Sequence, residues 1–329
     1  MSASESADIA AALWYCGASK AEIRREVLGP PGAGEVRVKS LYSAISRGTE
    51  SLVFAGRVPE SEFARMRAPF MAGDFPFPIK YGYATVGRVE DGSAALSGRN
   101  VFALYPHQTR FNLPAASALV LPDDVSPHRA VLAANMETAL NGVWDATPGP
   151  ADHIAVIGAG VVGSLVAYLC GRLPAARVTL VDINPARAEL ASALGVSFAE
   201  PAKAERDCDL VVHASGSPDG LNTALELAGD EATVLEMSWY GDRIVSALLG
   251  GPFHSRRLRL VSSQVGSIAP SHRPRWSHHR RLAAALGLLT DPRLDVLLAP
   301  DIAFGDLPER LPQILAPGST TLCQPIAYS

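Results

Sequence analysis

Six consecutive residues have the clearest chemical purpose in this chain: Gly158, Ala159, Gly160, Val161, Val162 and Gly163. They follow the apolar run Ile154 to Ile157 and open a helical stretch ending near Gly171. In a strand–turn–helix of this spacing the first glycine permits the tight turn. The second lets the backbone approach a pyrophosphate, and the third lets helix and strand pack closely. The phosphates then rest on N–H groups at the helix N-terminus, where Val161 and Val162 start the first turn. A second apolar run ends at Asp182, about twenty residues on, where a carboxylate accepts ribose hydroxyls and repels a 2′-phosphate. NAD(H) is therefore expected over NADP(H), although Arg187, one turn into the next helix, offers a phosphate a partner. Ile183 and the strand-end residues Ser215, Ser238 and Gln264 complete the expected cofactor contacts.

These residues need a parallel sheet to hold them. After Pro150, short buried-type runs (HIAVIG, RVTLVD, DLVVHAS, ATVLEMS, RLRLVSS) alternate with helical segments, which reads as a doubly wound sheet ending near Gln264. Before it, EVRVKSLYSAIS, YATVGRVED and RNVFALYP alternate between Gly and Pro turns and predict a compact strand-rich domain. Beyond it, Arg280 to Leu289 predicts an amphipathic helix and TLCQPIAY a last strand, which returns to the first domain. The first six residues, MSASES, read as a loose tail.

Composition removes several functions. The chain has 329 residues, 48% hydrophobic and 19% charged, with a net charge of -4, which fits a two-domain globular protein and argues against a general nucleic-acid binder. Cys16, Cys170, Cys208 and Cys323 lie far apart, so neither a disulfide framework nor a cysteine zinc site is expected. The apolar run Ile9 to Tyr15 follows acidic residues where a signal peptide carries basic ones, and a cytoplasmic location is expected. The run Ile154 to Cys170 approaches membrane-spanning length, but its glycines assign it to the nucleotide turn. No membrane partner is expected.

The order of parts, with GEVRVKSLYSAISRGTES, KYGYATVGRVEDG, METALNGVWDA and LDVLLAPDIAFGDLPERLPQIL, resembles the medium-chain dehydrogenase/reductase superfamily from about Ala11 to Tyr328. The resemblance implies an α/β chain: a GroES-like strand-rich catalytic domain over residues 1–137, a Rossmann dinucleotide domain over 138–265, and a return over 266–329. It also implies Thr138 on the nicotinamide side, a homodimer and a small-molecule substrate. The zinc alcohol dehydrogenases of this superfamily hold their metal with Cys, His and Cys; here those positions carry Ser46, Tyr83 and Ala134, and the four-cysteine lobe is missing. Zinc prefers thiolate and imidazole, so a zinc-free member with no metal ligands is expected. SAISRGTES with GYA looks most like the branch that includes hydroxyethyl-bacteriochlorophyllide dehydrogenase, a hint of a bulky substrate.

Without zinc, a developing alkoxide must be met by a hydroxyl or an imidazole. Tyr83 takes the place of the metal-bound His, and is either a proton donor or a core tyrosine. Ser46 and Thr49 lie in the turn that otherwise bears a ligand and a relay hydroxyl, and Gly48 stands at the relay position itself. Glu50 either orients a hydroxyl or caps the next helix. His107 in YPHQTRF is the candidate with a titration range suited to neutral pH. Glu137 is either functional or salt-bridged to an arginine. Phe63, Met66, Phe70, Met71, Phe75 and Phe77 either cover a large substrate or pack within their own domain. The expected function is a zinc-independent NAD(H)-dependent oxidoreductase for an alcohol and its ketone or aldehyde. A C=C reductase and a non-catalytic NAD-binding protein are the alternatives, and the absence of any Tyr-x-x-x-Lys excludes a short-chain dehydrogenase.

Overall fold

The computed structural model describes residues 8–329, and the expected loose tail lies outside them. The chain divides into two compact units, one running to Ala134 and resuming at Leu298–Ser329, the other Asn135–Leu297. The boundaries read from sequence need one correction. Residues 266–297, expected to rejoin the first domain, belong to the second unit, and the return starts at Leu298.

In order, the first unit holds β1 (Asp8–Gly17), β2 (Lys20–Leu28), β3 (Glu35–Ile45), α1 (Arg47–Phe54), β4 (Ala72–Gly73), β5 (Ile79–Lys80), β6 (Thr85–Asp91), β7 (Asn100–Ala103), β8 (Arg110–Pro114), β9 (Leu119–Val120) and α2 (Pro127–Ala130). Helix α3 (Ala133–Ala146) carries the chain into the second unit, with β10 (His153–Ile157), α4 (Val161–Cys170), β11 (Arg177–Val181), α5 (Arg187–Leu194), β12 (Ser197–Ala199), β13 (Cys208–His213), α6 (Pro218–Leu227), β14 (Ala228–Glu236), β15 (Arg259–Ser262) and α7 (His278–Gly287). The return supplies β16 (Ile302–Ala303), α8 (Leu307–Ile314) and β17 (Gln324–Ala327).

The first unit is two sheets. One, ordered β2-β1-β5-β4, starts from the long hairpin of the first two strands. The other runs β16-β17-β3-β6-β7-β9, with β8 also pairing with β3. The last strand pairs antiparallel with β3, setting Pro325 opposite Ala44 and Ile326 opposite Ser43, so the tail strand joins the first unit's sheet. Alternation in β3 sends Val36 and Val38 inward, where they meet Val89, Val101, Phe111 and Leu113. Of the segment Thr49 to Phe77, expected to contain helical stretches, α1 takes the start and Glu60–Glu62 a single 3-10 turn, and the rest is turns with the short strand β4.

The second unit is a six-stranded parallel sheet ordered β12-β11-β10-β13-β14-β15. This is the doubly wound order whose central reversal opens a crevice at the carboxyl ends of the strands. Every residue of β10 is buried, because helices cover both faces of such a sheet. Among the described residues, no helix is long and apolar enough to cross a membrane.

The stretch past β15 is tied to α3 by a buried ion pair. Arg281 of α7, 1% exposed, donates from Nε to Glu137 Oε1 at 3.0 Å and from Nη1 to Asn141 Oδ1 at 2.5 Å. Its other nitrogen reaches the carbonyl of Val265. Burial raises the Glu137 carboxyl above its ordinary range, and the guanidinium pulls it part of the way back. Truncating one partner strands the other charge in the interior. Arg281→Ala should cost about 3–5 kcal/mol in denaturant-unfolding stability; a loss below about 1 kcal/mol would show that the pair does not hold this segment.

Candidate functional site

In the first unit a concentration of polar groups is built around Glu50. This carboxylate sits in the first turns of α1, 0% exposed. Its Oε1 accepts the N–H of Ser46 at 2.8 Å, capping the helix from within. Its Oε2 accepts the Tyr15 hydroxyl from β1 at 2.7 Å and faces His107 Nε2 at 3.1 Å. Both roles read for Glu50, orientation and capping, are thus filled by one side chain.

His107, also 0% exposed, continues the chain of contacts. Its Nδ1 lies 2.8 Å from Ser43 Oγ, which lies 2.8 Å from the Tyr328 hydroxyl. Ser43 and His107 thus each have a hydrogen-bond partner on both sides. The row ties β1, β3, α1, the β7–β8 connection and the residue after β17 together. His107 is no surface residue: Gly82, at φ 117°, lies flush on its ring, and a Cβ there would come within 2.8 Å of it.

Tyr83 stands beside this network. Its phenol takes hydrogen bonds from the hydroxyls of Ser46 and Thr49. Burial first, and then the Glu50 carboxylate, push its pKa up to about 12 against those two bonds. The ring is half-buried and meets Tyr81 edge-on at 6.0 Å. A phenol of this kind stays protonated at neutral pH, and with its lone pairs engaged it has a proton to give. The structure brings together Tyr83, Ser46, Thr49, Glu50 and His107. It gives Glu137 the Arg281 partner instead, in the other unit. Of the phenylalanine segment, Met71 and Phe75 are buried, Phe63 packs on Phe75 at 5.5 Å, and Phe70 stacks on Tyr105 at 5.3 Å while 37% exposed.

In the second unit the glycine turn joins β10 to α4. A Cβ at Gly163 would meet the carbonyl oxygen of Gly158 at 2.0 Å, and one at Gly158 would meet the Ser215 backbone at 2.7 Å, so both are held to glycine by packing. At Gly160 a Cβ would meet nothing within 4 Å, which leaves room over the helix N-terminus. Asp182 is fixed by the turn itself, its Oδ2 accepting Ala159 N–H at 2.7 Å and its Oδ1 Asn184 N–H at 2.8 Å. Val161 and Val162 open α4, Ile183 is exposed beside Asp182, and Arg187 opens α5. Ser215 and Ser238 follow the carboxyl ends of β13 and β14; Gln264 follows β15 and accepts Gly266 N–H at 2.6 Å; Thr138 lies on α3. An apolar-edged turn of this shape, with a carboxylate beside it, suits the pyrophosphate and ribose of a dinucleotide.

No family model matches the chain. L-threonine 3-dehydrogenase of Photorhabdus laumondii is 32% identical over 145 residues, 43% of this chain and 41% of that protein, so the match spans about two-fifths of that relative's length. An alcohol dehydrogenase from Escherichia coli, solved with NADH, superposes with a TM-score of 0.76 at 16% identity, covering 97% of this chain and 99% of the other. The fold is that of the medium-chain dehydrogenases. TarJ of Staphylococcus aureus, solved with NADPH, superposes with a TM-score of 0.75 at 15% identity, covering 98% of this chain and 100% of the other. The relative matched over part of the chain is a dehydrogenase, and the two superposed structures share the fold, one solved with NADH and the other with NADPH.

Sequence reasoning missed Tyr15, Ser43 and Tyr328 in the first unit. In the second it missed His213, Glu236 and Tyr240, a hydrogen-bonded group at the carboxyl ends of β13 and β14. The one available signal for the latter was His213 and Glu236, polar residues interrupting otherwise apolar runs.

Proposed function

We propose that this medium-chain dehydrogenase fold serves an NAD(P)-dependent oxidoreductase that interconverts an alcohol and a ketone or aldehyde without zinc, with Tyr83 as proton donor. What supports this reading is the place of the Tyr83 phenol beside Ser46, Thr49 and the buried Glu50 carboxylate, where burial first and then that carboxylate keep it protonated. The bound dinucleotide supplies the hydride chemistry. The chain's own share is to hold the dinucleotide at Gly158 to Gly163 and Asp182, and to meet the developing alkoxide with the Tyr83 hydroxyl. Glu50 and His107 fix the flanks of that donor: Glu50 holds Ser46 through its N–H, and the His107 ring supports Gly82.

Zinc does not fit this donor set. Ser46, Tyr83 and Ala134 offer no thiolate or imidazole at the three ligand positions, and His107 and Glu50 are engaged with each other. The aromatic row Phe63–Phe75–Tyr81–Tyr83, half-exposed at its two ends, supports a bulky, ring-bearing substrate. Edge strand β15 leaves Leu260 and Val261 exposed and its outer side unpaired in the sheet order, which supports a homodimer. Sedimentation as a monomer at micromolar concentration would count against that assembly.

Tyr83→Phe should lower turnover roughly 10²-fold with little change in NADH affinity, and the parent's turnover should survive dialysis against a chelator. Turnover within a few-fold of the parent would remove Tyr83 from the mechanism and favour reduction of an activated C=C bond, where water supplies the proton. Asp182 supports NAD(H) as the preferred cofactor, its carboxylate being oriented by the glycine turn. Asp182→Ala should weaken NADH about tenfold or more and narrow the gap to NADPH; equal affinity of the parent for both cofactors would refute the preference.

A further inference from the structure

The carboxyl edge of the second unit's sheet holds a carboxylate, an imidazole and a hydroxyl in a row. His213 Nδ1 lies 2.8 Å from Glu236 Oε2, and His213 Nε2 lies 2.6 Å from Ser215 Oγ. The strand register places His213 and Glu236 directly opposite each other on β13 and β14. The imidazole is completely buried, whereas Ser215 is exposed. The Glu236 carboxyl is held below its ordinary range: burial opposes this, but the hydrogen bond and the electrostatic attraction of His213, with the hydrogen bonds of Ser238, outweigh it. The Tyr240 hydroxyl donates to the same carboxylate oxygen at 3.0 Å.

A carboxylate only accepts, so in the neutral imidazole the proton sits on Nδ1 and Nε2 is bare. The Ser215 hydroxyl must then donate to Nε2. Ser215 Oγ also accepts the N–H of Ser217 at 3.2 Å. What it retains is one lone pair, facing outward from a fixed position. The fit is close enough to restrict its neighbours: a Cβ at Gly220 would lie 2.2 Å from Ser215 Oγ and 2.7 Å from His213 Nε2, so the first turn of α6 can rest on the pair only through glycine. Ser215 also abuts the first glycine of the dinucleotide turn, where a Cβ at Gly158 would strike its backbone.

Carboxylate, imidazole and hydroxyl in this order also describe an activated serine nucleophile. The surroundings decide against acyl transfer. The N–H following the serine, which would hold an oxyanion, is donated by Gly216 to Ser238 Oγ at 3.0 Å. The next N–H returns to Ser215 itself. A serine whose proton is committed and whose neighbouring donors are occupied refuses acceptors, such as phosphate or carbonyl oxygens, and takes donors.

We infer that Ser215 accepts a hydrogen bond from a ribose hydroxyl of the bound dinucleotide, and that His213 and Glu236 are positioning residues that hold it as an acceptor. This rests on the dinucleotide reading above and adds two residues that the glycine turn does not need. It is tested by calorimetric titration of the full chain with NADH, ADP-ribose and AMP. Ser215→Ala, at an exposed position, should bind NADH about five- to tenfold more weakly, and Ser215→Thr should restore most of the loss. A loss shared by ADP-ribose but not AMP assigns the nicotinamide-side ribose; a loss shared by all three assigns the adenosine ribose. His213→Asn should weaken NADH similarly, and the double variant with Ser215→Ala should be no weaker than either single one, which a purely structural histidine would not produce. NADH affinity of Ser215→Ala within twofold of a binding parent overturns the inference, as does a loss confined to NADH or covalent labelling of Ser215 by a fluorophosphonate. A parent that binds neither NADH nor NADPH instead overturns the dinucleotide reading and this inference with it.

Discussion

A carboxylate with no exposure to solvent must be compensated in full, and in the first unit that requirement falls on Glu50. Its three donors come from three places: Ser46 at the start of α1, Tyr15 on β1 and His107 between β7 and β8. Through His107 the demand extends to Ser43 on β3 and Tyr328 beyond the last strand. Two sheets, a helix and the returning tail are thereby fixed to one charge. Tyr83 sits next to that charge, which adds to burial in raising its pKa, so the group read as the donor is kept protonated in part by the same residue that organises the domain.

The two units solve the problem of a polar interior in related ways. In each, a histidine stands between a carboxylate and a serine hydroxyl: Glu50, His107 and Ser43 in one, Glu236, His213 and Ser215 in the other. The difference is where the row ends. In the first unit Ser43 is buried and passes its contacts to another phenol, while in the second Ser215 reaches the surface. A closed row stiffens a core; an open one presents an oriented atom to whatever binds.

The legible parts of this chain were those written in short-range spacing. The glycine turn, the carboxylate after the second strand and the strand–helix rhythm are each set within a few tens of residues, and the second unit follows them. The turn chemistry was legible for the same reason. Tyr15, Ser43 and Tyr328 were not, since they meet His107 and Glu50 only after strands from opposite ends of the sequence have paired, and no local pattern marks a tyrosine for such a meeting. The stretch 266–297 was read as leaving the nucleotide domain because its strands had run out. Among the contacts that keep it there is a side-chain pair, Arg281 with Glu137, whose partners lie far apart in sequence. Glu137 itself was singled out correctly as too costly to bury alone, but spacing could not choose between its two readings.

The antiparallel pairing of β17 with β3 also orders events during synthesis. The second unit is continuous, and all of it has been made once Leu297 is reached. The first unit's larger sheet lacks two strands until residue 327 has been added, although its other strands come first in the chain. Domains commonly fold from the N-terminus as they emerge. Here the middle of the sequence can finish before the beginning, and the Glu50 network waits with an open edge at β3 until Tyr328 closes it.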